Sequence, residues 1–141
     1  MTDPFNLQRF VQAQEPVMAQ VRAELRAGRK RTHWMWFVFP QIAGLGHSAT
    51  AQHFAIGSLD EAWAYLAHPV LGPRLAECAV LVAAVEGRSV HDIFGSPDDL
   101  KFHSSMTLFA LAEPGAPEFR SALDKYFGDA LDTLTVEKAG A

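Results

Sequence analysis

The sequence predicts an all-α protein, a single compact domain of about six or seven short helices around one core. Three observations predict this class. The length of 141 residues matches one domain. The content of 49% hydrophobic and 20% charged residues is close to the globular average. Apolar residues recur at helical spacing between glycine and proline stops, and no run has the pattern of a sheet strand with a partner. We expect one domain over residues 1–141 and leave the tail, 129–141, unassigned.

Composition excludes several classes of protein. The 12 basic and 16 acidic residues give a net charge of −4, which argues against nucleic acid as the main partner. One cysteine, Cys78, permits no disulfide within the chain, and its apolar neighbours predict an inert core thiol. The six histidines lack the spacing of metal ligands, so we expect no metal and no cofactor. We predict a cytoplasmic protein without a membrane partner, because there is no signal peptide and no apolar run approaches about 20 residues. The oligomeric state is not predicted.

The first half of the chain contains four predicted helical segments. Asp3 and the proline after it have the pattern of a helix start, and Gly28 follows the second segment as a stop. The aromatic run at 34–39 fits a strand or a buried helix, and its helical surroundings favour a helix. The predicted helices are 5–14, 16–27 and 34–39, and a looser stretch after them is expected to contain one helical turn around 50–54.

The second half is marked by clear helix starts. Ser58 and Ser89 each precede a carboxylate by three residues, which is the pattern of a capping box. Ser96 precedes a proline and two aspartates, as an N-cap residue does. The predicted helices are 59–67, 70–86, 97–112 and 117–127, and a capped turn at 89–94 is ended by Gly95.

The segment from Lys30 to Gln41 is the first candidate site. Two tryptophans, Trp34 and Trp36, lie between an imidazole, His33, and the amide of Gln41. This arrangement is typical of a pocket wall on which a ring stacks, with polar groups at its edges. The alternative is that the aromatic residues belong to the core.

A second candidate site lies on the helix predicted to follow Ser96. Lys101, Ser104 and Ser105 share one face, and an ammonium with two hydroxyls can bind a phosphate, a carboxylate or sugar hydroxyls. The alternative is a solvated lysine with serines at a tight helix contact. We expect this segment to meet the segment from Lys30 to Gln41, because the aromatic run needs an apolar helix face to cover it.

A short basic run ends the second predicted helix. It contains Arg26, Arg29, Lys30 and Arg31. Basic side chains at a helix C-terminus interact favourably with its dipole, which is the simpler explanation. A phosphate site at Lys30 and Arg31 is the alternative, since both adjoin the aromatic segment.

Several segments together resemble a known bacterial and fungal family. They are Phe10-x-x-Ala13-Gln14, Gly28-Arg29-Lys30 through Gln41, Gly44-Leu45-Gly46-x-Ser48, Ala64-Tyr65-Leu66-x-His68-Pro69-x-Leu71-Gly72-x-Arg74-Leu75, and Ile93-Phe94-Gly95 through Phe109. The family is catalogued as a domain of unknown function, number eighteen-ten, and some members carry the automatic label calpastatin. The resemblance spans about residues 3–127. It implies a mainly helical fold and no particular activity.

A shorter segment is similar to the NADAR-type N-glycosidases, which act on compounds linked to ADP-ribose or phosphoribose. The matching residues are Phe10-Val11-Gln12-Ala13-Gln14, and the similarity makes Gln14 a candidate ligand-binding residue. Gln8 occupies the position at which that family has an acidic residue. An amide cannot act as a general acid or base, so the glycosidase chemistry would be lost or carried by another residue.

These observations lead to one expected pocket for a nucleotide-like or ribosyl molecule. As an enzyme, the protein would hydrolyse the N-glycosidic bond of an NAD-derived compound, with His33 as acid or base and Asp98 or Asp99 stabilising the oxocarbenium charge. The alternatives are a non-catalytic binding module with the same pocket, or a protein-interaction domain that exposes the aromatic cluster.

Overall fold

Residues 3–141 are described by a computed structural model, and they form ten α-helices with no β-strand. The all-α class is confirmed, whereas the expected six or seven helices were too few. The helices are α1 (Gln8–Gln14), α2 (Met18–Arg26), α3 (Met35–Val38), α4 (Ala49–His53), α5 (Leu59–Ala67), α6 (Leu71–Ala83), α7 (Val90–Phe94), α8 (Asp98–Ala112), α9 (Pro117–Phe127) and α10 (Thr133–Ala139).

Four helix starts, those of α4, α5, α7 and α10, have a side-chain N-cap hydrogen bond. Ser58 accepts a hydrogen bond from the backbone of Glu61, and Ser89 forms a complete capping box with Asp92. The Asp3 carboxylate accepts hydrogen bonds from the backbone N–H groups of Leu7 and Gln8. Helix α1 therefore begins at residue 8, whereas the sequence predicted a start at residue 5. At α8 the N-cap residue is Pro97; the expected side-chain cap from Ser96 is not made.

The aromatic run at 34–39 forms the short helix α3, as its helical surroundings predict. Pro40 ends it. After α3, the only β-type pairing among residues 3–141 is an isolated parallel bridge between Ile42 and Ile56. Since no strand among residues 3–141 could pair with the run, its high aromatic content is explained by burial.

Helix α8 is the centre of the core. It packs against α5, α7, α9 and α10, and its residues from Ser104 to Ala110 are all buried. Such continuous burial is expected of a helix surrounded by others. The first turn of α8 remains accessible, and it carries Lys101 of the second predicted site, whereas Ser104 and Ser105 lie in the buried part.

The tail that the sequence left unassigned folds onto α8. Gly128 adopts a left-handed conformation that ends α9, and Asp132 caps α10 by accepting a hydrogen bond from the backbone of Thr135. Thr135 is fully buried. Helix α10 therefore forms one wall of the cleft described below.

No single helix in the described part of the chain has the length and apolar character of a membrane span. The consecutive helices α5 and α6 meet such a test only together, and the chain bends by 91° between them.

Candidate functional site

The main candidate site is an open cleft of about 430 Å³ between the first turns of α8, helix α10 and the loop after α3. This volume lies within the range of ordinary small-molecule sites. We call it the α8–α10 cleft. Its lining residues are Gln41, Leu45, Gly46, Pro97, Leu100, Lys101, His103, Ser104, Asp132 and Leu134. Leu100 and Leu134 are more than half exposed, so the cleft has aliphatic as well as polar walls.

The two motif segments meet at the edge of this cleft, as the sequence predicts. Gln41 from the first segment and Lys101 and Ser104 from the second all line it. The Lys101 ammonium also lies 5.2 Å from the centroid of the Trp36 ring. That distance allows a cation–π interaction, which fixes the lysine against the first segment.

A small charged network supports Lys101 from beneath. Asp98 lies 2.8 Å from the Lys30 ammonium and 3.5 Å from the Lys101 ammonium. Lys30 is nearly buried and lies 5.2 Å from the Trp34 ring centroid. Two lysines thus share one carboxylate, and the group carries a net charge of +1. Because Lys101 has only the longer of the two contacts, it retains N–H donors for a ligand.

The loop before α3 is held by one buried carboxylate. Glu24, 3% exposed, accepts hydrogen bonds from the backbone N–H groups of Arg31 and Thr32 and from the Thr32, Gln20 and Trp34 side chains. Burial by itself raises the pKa of Glu24, but these donors outweigh it and lower the pKa to about 2. The ionised carboxylate therefore positions the segment that carries Lys30 and Trp34.

His103 is a cleft residue whose orientation is fixed. Its imidazole stacks on Phe127, with ring centroids 4.0 Å apart and planes at 9°. Its Nε2 lies 2.7 Å from the carbonyl oxygen of Ala130. Because a carbonyl oxygen only accepts, Nε2 carries a proton, and Nδ1 of the neutral ring has a free lone pair. This Nδ1 has no hydrogen-bond partner among residues 3–141.

Asp132 completes the polar end of the cleft. Its Oδ2 accepts hydrogen bonds from Ser104 Oγ at 3.0 Å and from the hydroxyl and backbone N–H of Thr135 at 2.5 and 3.3 Å. Its backbone N–H donates to Thr107. The second carboxylate oxygen has no partner in the described part of the chain. Asp132 thus joins α10 to α8 and still offers an acceptor to the cleft.

The structure places several predicted ligand-binding residues outside the cleft. Trp34 is 1% exposed and Ser105 is fully buried, so neither reaches a ligand in the cleft. Ser105 lies one helical turn after Lys101, but at this position the helix is covered by its neighbours and the hydroxyl is buried. Gln14 is also buried, and its amide bonds to Phe37, Tyr65 and Arg74.

The predicted catalytic residues are also separated from the cleft lining. His33 and Arg31 are exposed beside the Glu24 loop, and neither lines the cleft. Asp99 lies 3.1 Å from the His91 imidazole. Asp98 lies behind Lys101, in the ion-pair network already described. His33, Asp98 and Asp99 are therefore all missing from the lining of this cleft.

Trp36 has little room for a stacked ring. One side of the indole carries the Lys101 ammonium. Elsewhere it borders a space of only about 10 Å³, together with Gln41 and Phe54. That volume holds about one water molecule. The cavity that Trp36 borders is therefore too small to hold a stacked ring.

Sequence reasoning missed His103 and Asp132 as site residues. His103 lies within the second motif segment, next to residues that were selected. Asp132 precedes Thr133 and Thr135 in a pattern that fits a helix N-cap, and this could have predicted α10. Its position opposite Lys101, however, depends on how α10 packs.

Comparison with known proteins agrees with this description. The structure of the conserved hypothetical protein Rv1873 from Mycobacterium tuberculosis, a crystal structure at 1.38 Å, is similar with a TM-score of 0.97. The two chains are 57% identical, and the alignment covers 99% of each. No curated protein matched the sequence. The family model described as "Protein of unknown function (DUF1810)" matches residues 4–139, so the chain belongs to this family, as its motif segments predict.

Proposed function

We propose that the α8–α10 cleft binds a small anionic, hydroxylated molecule of the nucleotide-like or ribosyl class. The observation that carries the proposal is the Lys101 ammonium, which retains N–H donors at the edge of a cleft of about 430 Å³. Its fixed position reduces the entropy lost when an anion binds. The proposal takes the cytoplasm as the site of action, which the single, buried Cys78 supports.

A non-catalytic binding module has more support than an N-glycosidase with the predicted catalytic residues. His33 does not line the cleft. The two aspartates are each paired with a cationic or titratable side chain, Asp98 with lysines and Asp99 with His91. None of the three is among the residues that line the cleft, and Asp98 is engaged by two lysines.

A hydrolase remains the second candidate because of two other residues. His103 offers an unbonded Nδ1, and Asp132 a carboxylate oxygen, to the same cleft. An imidazole oriented by a second contact is the usual form of a general base. Hydrolysis of NAD or ADP-ribose by the wild-type protein, lost in His103→Ala, would select this candidate. The third alternative, an interaction domain that exposes the aromatic cluster, has less support because Trp34 is buried.

Binding is tested with the Lys101→Met variant, which keeps most of the aliphatic stem and removes the charge. Arg26→Met is the matched control, since Arg26 is exposed, has no ion pair among residues 3–141 and does not line the cleft. Wild type and both variants are titrated with AMP, ADP-ribose and NAD by isothermal calorimetry.

We expect at least one of these compounds to bind wild type and Arg26→Met equally. Its affinity for Lys101→Met should fall about tenfold or more, since a hydrogen bond to a charged group contributes roughly 1.5–3 kcal/mol. Equal binding to Lys101→Met and wild type would place the site elsewhere. Failure of all three compounds to bind wild type would refute the proposed ligand class.

A further inference from the structure

Resting on the proposed function, we infer that the cleft recognises a sugar phosphate through its phosphate and hydroxyl groups, and does not recognise an aromatic base. The inference follows from the hydrogen-bond donors and acceptors of the cleft that have no partner within the described protein. The unpaired donors form one edge of the cleft, and the unpaired acceptors form one end. The walls between them are aliphatic.

The donor edge is formed by Lys101 and Gln41. Lys101 is engaged only by the 3.5 Å contact with Asp98 and by the Trp36 ring. The side-chain amide of Gln41 has no hydrogen-bond partner among residues 3–141, although its backbone carbonyl accepts from Ile56. Both residues line the cleft, and an ammonium and an amide N–H₂ group both donate to phosphate oxygens.

The acceptor end is formed by His103 and Asp132. Each has one strong acceptor atom that no described residue uses, Nδ1 of the imidazole and Oδ1 of the carboxylate. Ser104 also lines the cleft, and its hydroxyl proton is already directed to Leu100 or Asp132. A ligand that meets this end must therefore supply hydrogen-bond donors.

Hydroxyl groups fit this end better than an ammonium group does. The Asp132 carboxylate already accepts three hydrogen bonds, from Ser104 and from two groups of Thr135. Its negative charge is therefore largely stabilised within the protein, and a neutral donor completes its shell without a second buried charge. Adjacent sugar hydroxyls supply such donors at the spacing of neighbouring carbons.

The cleft lining contains no indole or phenyl ring on which a base could stack. Its apolar lining comes from Leu45, Leu100, Leu134 and Pro97. Phe127, the closest aromatic partner of the acceptor end, is covered by the His103 ring itself. Binding of a nucleotide base would thus gain contact area without the stacking that indole or phenyl rings provide.

The inference is tested by comparing three probes on the wild-type protein: D-ribose 5-phosphate, AMP and inorganic phosphate. Affinities are measured by isothermal calorimetry, and the site is located by chemical-shift changes at the amides of Lys101 and Asp132. We expect ribose 5-phosphate to bind at least tenfold more tightly than phosphate. We expect AMP to bind within about threefold of ribose 5-phosphate, because the base adds little.

Two variants separate the two ends of the cleft. Asp132→Asn keeps a residue that caps helices well but replaces one acceptor oxygen by a donor. The substitution should weaken the binding of ribose 5-phosphate about tenfold. It should not weaken the binding of inorganic phosphate, because it removes a negative charge from the cleft. Gln41→Ala removes no side-chain hydrogen bond within the described protein. This variant should bind both ribose 5-phosphate and inorganic phosphate more weakly than wild type. Asp124→Asn, at an exposed position on α9 outside the cleft, is the control and should change neither.

The outcomes distinguish this inference from the proposed function. If AMP binds in the cleft more than tenfold more tightly than ribose 5-phosphate, the base is recognised and only the inference fails. If ribose 5-phosphate binds no more tightly than phosphate, the hydroxyl groups are not recognised and the inference fails as well. If none of the probes binds the wild-type cleft, both the inference and the proposed function are refuted.

Discussion

Replacing Glu24 by glutamine tests whether one buried carboxylate holds the segment that leads into the cleft. The substitution keeps the size of the side chain and removes its charge. In the wild-type protein the carboxylate accepts five hydrogen bonds, three of them from Arg31, Thr32 and Trp34. A glutamine offers one oxygen in place of two, and its N–H₂ group faces donors, so several of these bonds are lost.

The expected magnitude follows from the pKa of Glu24. This pKa falls from its ordinary value of 4.5 to about 2 in the folded protein, because the hydrogen bonds outweigh the effect of burial. At about 1.4 kcal/mol for each pH unit, the ionised form contributes about 3 kcal/mol to the free energy of unfolding. Because the folded-state pKa is the lower one, this contribution is present above pH 4.5 and is lost as the pH falls towards 2.

Urea denaturation at pH 7 and at pH 3, followed by circular dichroism, measures the effect. We expect Glu24→Gln to be about 3 kcal/mol less stable than wild type at pH 7, and the difference to narrow to about 1 kcal/mol at pH 3. The control is Glu77→Gln, which removes a carboxylate that is 40% exposed and paired with Arg22. The control substitution should lower the free energy of unfolding by less than about 1 kcal/mol. If the difference in the free energy of unfolding between wild type and Glu24→Gln is the same at both pH values, the role assigned to the Glu24 charge is refuted.

Other variants and reagents test the packing of the fold. Gly72→Ala should lower the free energy of unfolding by about 3 kcal/mol, because a Cβ atom there would overlap the Leu66 carbonyl oxygen. Gly115→Ala, where the added atom meets open space, should stay within about 0.5 kcal/mol in the same urea titration. Cys78 should react with a thiol reagent only on the timescale of unfolding, because burial raises its pKa to about 12. Labelling of the native protein within seconds would contradict this.

Much of the helical structure was determined by local sequence. Ser58 and Ser89 cap helices in the structure because their hydroxyls need only the N–H groups three residues later. Gly128 ends α9 because it adopts a left-handed conformation that other residues disfavour. The family was also determined by sequence, since its motifs extend over most of the chain. The meeting of Lys101 with the aromatic segment could be expected, because an apolar run needs a helix face to cover it.

The composition of the site was decided only by tertiary packing. Trp34 and Trp36 look alike in sequence, but the first turns into the core and donates to Glu24, whereas the second carries the Lys101 ammonium. The same holds for Ser104 and Ser105, which follow each other on α8. A helix rotates by about 100° at each residue, so one serine faces the cleft and the other faces the core. Asp132 enters the site because α10 folds back on α8, a contact between distant parts of the chain that no local pattern specifies.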